Sequence, residues 1–191
     1  KNGGVFIADE VQPGFARTGQ AFFGFARHGI VPDMITMGKP MGNGIPISGL
    51  AAKEDVLAAF SDKLPYFNTF GGNPVSIAAA QAVLKYIKDE NLQEHCKKAG
   101  AALLKALKEV QERHPESVGD VRGAGLFLGF EFVKNDGNKT PDKDMALNVI
   151  EMLRDEHILT SVIGHYGNIL KLRPPMVFSE NDIDWFATSL D

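Results

Sequence analysis

The sequence predicts an α/β fold, and three observations carry that reading. Short apolar runs at residues 5–8 and 34–37 lack alternation, as strands covered on both faces of a parallel sheet do. Residues 75–89 and 92–110 repeat apolar side chains at helical spacing with charges between them. Beyond these lie a glycine-punctuated strand pair or bent strand at 118–133, a helix, two more strands and a last helix. Composition shifts near Asn91, from glycine-rich turns to a compact α+β pattern. Two domains are therefore expected, 1–90 and 91–191.

Bulk properties bound the function. The 191 residues are 44% hydrophobic, enough for a real core, and the net charge of -4 argues against a nucleic-acid or anionic-membrane surface. The single cysteine, Cys96, cannot form an internal disulfide, so a cytoplasmic setting is expected. Cys96 falls in a helical pattern and reads as a packed thiol. No apolar run is long enough to cross a bilayer and no signal peptide is visible. The chain opens Lys1-Asn2-Gly3-Gly4, without an initiator methionine, straight into a strand. It is expected to be the C-terminal portion of a longer protein.

Taken in order, the strand at 5–8 ends on Asp9, followed by Glu10-Val11-Gln12-Pro13-Gly14. Ligands of open α/β sheets sit outside the carboxyl ends of strands, so Asp9 has the position of a functional carboxylate. Asp is also a favoured cap, and that reading stands beside the first. Residues 14–28 form an irregular loop with aromatic anchors, in which Arg17 serves as a loop-fixing ion pair. Val31-Pro32-Asp33 turns the chain into the strand 34–37.

The stretch Gly38-Lys39-Pro40-Met41-Gly42-Asn43-Gly44 then makes a tight turn before a second strand reaching Ala52. Lys39 is held in place by this turn. If desolvated, its amine becomes a usable nucleophile; otherwise it is an ordinary turn lysine with its head in water. A short helix at 54–60 precedes Asn68-Thr69-Phe70-Gly71-Gly72-Asn73-Pro74. There the Gly71 and Gly72 N–H groups beside the Thr69 hydroxyl suit an anion, or the segment is a plain loop. Asn73 caps the next helix, with Pro74 at its first position.

In the second half, His114-Pro115 ends the long helix. His95 and His114 sit among charges and read as solvated, neither a ligand; no metal is expected. Gly123 and Gly125 precede a strand rather than a helix, the wrong context for a dinucleotide fingerprint. Pro141 opens a helix, strands are expected at 158–163 and 168–172, Arg173-Pro174-Pro175 breaks the second, and 182–190 is the last helix.

Asp9-Glu10-Val11-Gln12, Thr36-Met37-Gly38-Lys39, Asn68-Thr69-Phe70-Gly71-Gly72-Asn73-Pro74 and the 119–131 segment together resemble the class III pyridoxal-phosphate aminotransferases. The resemblance covers nearly the whole chain. It is nearest to the branch holding alanine–glyoxylate aminotransferase 2 and ethanolamine-phosphate phospho-lyase. It implies fold type I, with a large parallel-sheet domain and a small C-terminal α/β domain. It further implies pyridoxal 5'-phosphate as cofactor, Lys39 as the Schiff-base lysine, and Asp9 as the carboxylate on the pyridine nitrogen. Val11 would pack on the ring face and Gln12 would hydrogen-bond the ring hydroxyl. Thr69 would reach the cofactor phosphate of a neighbouring subunit, which implies a homodimer with shared sites.

Two features depart from the family pattern. Part of the phosphate loop and the aromatic that stacks on the cofactor precede Asp9 in the family and are absent here, so the chain alone should not complete a site. Glutamate-using members also carry an arginine just before the Pro-Pro pair, where this sequence has Lys171, with Arg173 nearer the prolines. Lysine lacks the planar fork that grips a carboxylate. Lys171 and Arg173 are thus substrate-binding candidates for a carboxylate, a phosphorylated amine or another anion, or plain surface charges. The expected reaction is transfer of an amino group from an amine or amino acid to a 2-oxo acid. A phospho-lyase acting on a phosphorylated amine and a non-catalytic dimerisation domain are the alternatives.

Overall fold

The computed structural model describes residues 3–191. The chain divides into two compact units, Lys1–Gln93 and Glu94–Asp191.

The first unit holds β1 (Ile7–Asp9), β2 (Met34–Met37) and β3 (Gly49–Ala52), in the order β1-β2-β3. β1 and β2 are parallel, with Asp9 opposite Thr36; β2 and β3 are antiparallel. The first strand starts later than its apolar run. The Phe6 carbonyl accepts from the Asp33 and Met34 amides, at 2.9 and 3.2 Å, and the Phe6 amide donates to Asp33 Oδ2 at 2.8 Å. Asp33 also takes the Lys53 ammonium, 2.8 Å away, so one carboxylate gathers the approach to β1, the start of β2 and the end of β3. The sheet was expected to be covered on both faces. Among the described residues it is not: Phe6 and Ile7 are about half exposed, at 48% and 52%. A run without alternation reports the neighbours a strand requires, and the described residues do not supply that layer.

Residues 13–28 pack as an aromatic knot. Phe15 meets Phe22 with ring centroids 5.3 Å apart, and Phe22 meets Phe23 at 4.9 Å in an edge contact. A 3-10 turn, Gly24–His28, closes the loop. Helices α1 (Glu54–Ser61) and α2 (Pro74–Asp89) follow. Asn73 caps α2 as the sequence predicts: its side chain accepts the Ser76 amide at 3.0 Å, and its amide group donates to the Phe70 carbonyl at 2.9 Å.

In the second unit, α3 (Leu92–Arg113) leads to β4 (Val118–Ala124), β5 (Phe127–Phe132), α4 (Lys143–Asp155), β6 (Val162–Ile163), β7 (Ile169–Leu172) and α5 (Glu180–Leu190). The strands form one antiparallel sheet in the order β4-β5-β7-β6. Val121, Leu128, Phe130 and Leu170 of its inner face are buried with Leu103 and Leu107 of α3, Leu153 of α4 and Phe186 of α5. A Cβ on Gly100 would lie 2.3 Å from the Gly125 backbone, so α3 lies directly against the β4–β5 turn there.

Four expectations for this half change in detail. The strand expected at 158–163 keeps ladder pairing only at Val162–Ile163, because Thr160 and Ser161 are tied to Lys171 by a hydroxyl and a carbonyl instead. Pro141 bridges to Val133, so α4 starts at Lys143 with Asp142 as its cap. His95 is half-buried, its Nε2 3.0 Å from the Phe178 carbonyl, and His114 sits 3.0 Å from Asp191 Oδ1; neither is simply solvated. Cys96 is fully buried.

Candidate active site

Parallel pairing decides where the chemistry emerges. Because β1 and β2 run the same way, Asp9 at the end of one and the Lys39 turn after the other leave the same sheet edge. The Asp9 carboxylate is exposed. Its Oδ1 accepts the Val11 amide at 3.1 Å and the Thr36 hydroxyl at 3.4 Å. Thr36 thus orients Asp9, a role that local sequence did not signal. The adjoining Glu10 amide donates to the Thr36 carbonyl at 2.9 Å and carries the pairing past the end of β1.

Lys39 opens a short 3-10 turn, Lys39–Met41, with a φ of 34°. This left-handed backbone is uncommon for a side-chain-bearing residue and marks a position fixed by its surroundings. The Met41 amide donates to the Gly38 carbonyl and the Ile45 amide to the Gly42 carbonyl, each at 3.0 Å. Lys39 itself is exposed rather than desolvated, and no carboxylate among the described residues pairs with it. Val11 lies beside the turn: a Cβ on Gly38 would be 3.9 Å from Val11 Cγ2. Gln12 is half-buried next to it.

A cleft of about 700 Å³ opens at this edge, with Val11, Thr36, Ser48, Tyr66, Asn68 and Gly71 in its lining. Thr69 belongs to the loop that supplies Asn68 and Gly71 and is exposed. One expectation for this loop needs correcting. The Gly71 amide is not offered to an anion, because Asn68 Oδ1 already accepts it at 3.0 Å, together with the Phe70 amide at 3.1 Å. Asn68 Nδ2 in turn donates to the Tyr66 hydroxyl at 3.2 Å. The first unit therefore gathers Asp9, Val11, Gln12, Lys39 and the Thr69 loop.

Lys171 and Arg173 belong to the second unit. Lys171 lies on β7 opposite Gly129 of β5, its amide donating to the Ser161 carbonyl at 2.8 Å. The Arg173 guanidinium stands over the Phe127 ring, 4.2 Å from its centroid.

The donor set fits an aromatic aldehyde with a basic ring nitrogen. A carboxylate is exposed at one strand end, an amine follows the neighbouring strand, and a branched aliphatic side chain lies beside the turn that carries the amine. Hydroxyls of Thr36 and Ser48 line a cleft of the size that takes a small molecule. Among the described residues no cluster of His, Cys, Asp or Glu could hold a metal ion, and no helix is long and apolar enough to cross a membrane.

The solved structures similar to this chain include transaminases and a phospholyase. A phospholyase from Arthrobacter, in complex with phosphoethanolamine, superposes with a TM-score of 0.94 at 40% identity, over 98% of this chain and 44% of that one. A transaminase from the marine bacterium Virgibacillus superposes at 0.88 and 32% identity, over 97% of this chain and 44% of its own. The expected fold type I is borne out. The chain belongs to the class III aminotransferases, whose family profile (Aminotransferase class-III) matches residues 1–191. It is 45% identical to Ethanolamine-phosphate phospho-lyase homolog 1 of Caenorhabditis elegans, over all of this chain and 41% of that protein. It is 42% identical to the mitochondrial Alanine--glyoxylate aminotransferase 2 homolog 2 of Arabidopsis thaliana, over all of this chain and 39% of that protein. The chain thus spans about two fifths of the curated relatives it matches.

Proposed function

We propose that the polypeptide carrying this chain is a pyridoxal-phosphate-dependent aminotransferase moving an amino group from an amine or amino acid to a 2-oxo acid. The observation that carries this is the parallel register that brings Asp9 and the Lys39 turn to one sheet edge in a class III chain. When bound, the cofactor supplies an aldehyde that captures amines and a ring that accepts electrons from carbon.

The chain's own residues supply the rest. Lys39 Nζ would hold the aldehyde and, once displaced by the substrate amine, would take the proton from the substrate carbon and return it to the former aldehyde carbon. The Asp9 carboxylate, aimed by Thr36 and the Val11 amide, accepts the ring N–H and keeps that nitrogen charged. Val11 packs on the ring face and Gln12 binds the ring hydroxyl. Thr69 reaches the phosphate of a partner subunit, which makes the enzyme a homodimer with shared sites. Lys171 and Arg173 hold the anionic end of the substrate. Residues 1–90 belong to the large cofactor-binding domain and 91–191 form the small one. The cytoplasmic setting rests on Cys96 alone.

A second reading has support of its own. Lys171 stands where glutamate-using members carry an arginine, and the Caenorhabditis relative and the Arthrobacter structure are named as phospho-lyases. Under that reading the bound substrate is a phosphorylated amine that loses phosphate.

Borohydride reduction of the cofactor-loaded polypeptide should attach the cofactor to Lys39, read by peptide mass spectrometry. Lys39→Ala should abolish the visible absorbance of the bound cofactor. Asp9→Ala should retain cofactor and lower kcat by about a hundredfold or more, the scale of losing one electrostatic partner at a reacting centre. Unmodified Lys39, or Asp9→Ala at the wild-type rate, overturns the assignment. Phosphate release without any oxo acid selects the phospho-lyase.

A further inference from the structure

We propose that Glu10 is a positioning residue of this site, a buried carboxylate that ties residues 13–28 to the strand end carrying Asp9, Val11 and Gln12. This deepens the function proposed above and rests on it. Glu10 is only 2% exposed, although it stands between exposed Asp9 and half-buried Val11. Exposure alternates from Ile7 through Ala8 and Asp9 to Glu10, which sends the Glu10 side chain away from that of Asp9.

Every hydrogen-bonding group of Glu10 is engaged, and the partners come from three parts of the first unit. Its Oε2 accepts the Gly24 amide at 2.7 Å and its Oε1 the Phe25 amide at 2.8 Å. Its amide donates to the Thr36 carbonyl at 2.9 Å, three residues before Lys39, and its carbonyl accepts the Gly14 amide at 3.2 Å. The approach is close enough to exclude side chains. A Cβ at Gly14 would lie 2.6 Å from the Glu10 carbonyl oxygen, and one at Gly24 would lie 2.8 Å from Pro13 Cβ, with Glu10 Oε2 3.3 Å away.

This tie bears on the site because β1 is only three residues long and its ladder cannot by itself hold the chain beyond Asp9. The loop it secures is strained. Phe15 and Ala16, both buried, take φ of 59° and 67°. Such conformations persist only where the surroundings over-determine them. With the carboxylate removed, the loop relaxes and the segment from Asp9 to Gln12 turns with it.

The test uses the longest polypeptide that carries this chain. Coupling is reciprocal, so if the Glu10 tie organises the cofactor site, bound pyridoxal phosphate must strengthen the tie. In wild-type protein the Gly24 and Phe25 amides should exchange hydrogen at least about fivefold more slowly with cofactor than without, the lower end of ordinary coupling factors. Glu10→Gln sets an amide NH2 against a backbone N–H, and Glu10→Asp keeps both oxygens but withdraws them by one methylene. Each should raise the cofactor dissociation constant by about 5- to 150-fold and weaken the visible circular dichroism of the bound cofactor.

Equal exchange with and without cofactor overturns the proposal, whether or not the variants fold. So does a folded variant with wild-type affinity and dichroism and only a lowered melting temperature, because that is a purely structural residue. Failure of the wild-type protein to load cofactor overturns the functional reading itself.

Discussion

Replacing Gly42 with alanine should disable the Lys39 turn through sterics alone. The Gly42 φ of −108° suits any residue, so the backbone conformation costs nothing extra. The added methyl, however, would lie 2.0 Å from the Ile45 carbonyl oxygen and 2.8 Å from Ile47 Cγ2. A carbon and an oxygen come no closer than about 3.3 Å, so the Ile45 carbonyl must retreat by roughly 1.3 Å. That retreat strains the Ile45 amide bond to the Gly42 carbonyl, 3.0 Å long, which closes the turn. Overpacking and one lost hydrogen bond together cost about 2–4 kcal/mol. A shift on the order of 1 Å this near the reactive amine lowers turnover by about a hundredfold. Gly44→Ala is the control. Its φ of +105° is strained for alanine, but no atom lies within 4 Å of the added Cβ. That variant should lose less than about tenfold in kcat, since strain of about 1–2 kcal/mol arises without displacement. The assay is kcat/KM with an amine donor and an oxo acid, alongside borohydride trapping at Lys39. Gly42→Ala within about threefold of wild type, or Gly44→Ala as the more damaged variant, would refute the steric reasoning.

Two further outcomes follow from the first unit. The Asp33 carboxyl is held below its ordinary value by the hydrogen bond from the Lys53 ammonium and then by the Phe6 amide. Its stabilising contribution is therefore complete above about pH 3.9, the unfolded value, and lost as pH falls through the lower folded value. Asp33→Asn should flatten the fall in urea midpoint below about pH 4, and an unchanged slope there would contradict the tie. Asn73→Ala removes the α2 cap and its bond to the Phe70 carbonyl, so it should cost about 0.5–2 kcal/mol. It should also loosen the Thr69 loop, seen as faster amide exchange at Phe70 and Gly71. Unchanged exchange there would mean that Asn68 alone holds the loop.

Much of the site was legible because its signals are short-range. The β2 strand runs Met34–Met37 as its apolar run predicts, and the glycines after Lys39 predict the tight turn that the structure contains. Asn73-Pro74 states the start of α2 in two residues. The failures have a common cause. Asn68 takes the Gly71 amide through a side chain whose direction no local pattern states. His95 looked solvated among charges, yet α3 turns its ring toward Phe178, 83 residues away. Thr36 carries no local signal of its own, and its hold on Asp9 exists because two strands 27 residues apart pair in one register.

By itself the sequence determined most of the elements, the Asn73 cap of α2, the family and the residue types offered for chemistry. Each depends on neighbours a few positions away or on a pattern summed along the chain. Tertiary structure alone decided that Asp9 leans on Thr36, that Lys39 stands exposed at the same edge, and that Glu10 turns inward while Asp9 stays exposed and Val11 lines the cleft. Those facts follow from strand register and loop closure, where a shift of one residue would send every side chain to the opposite face.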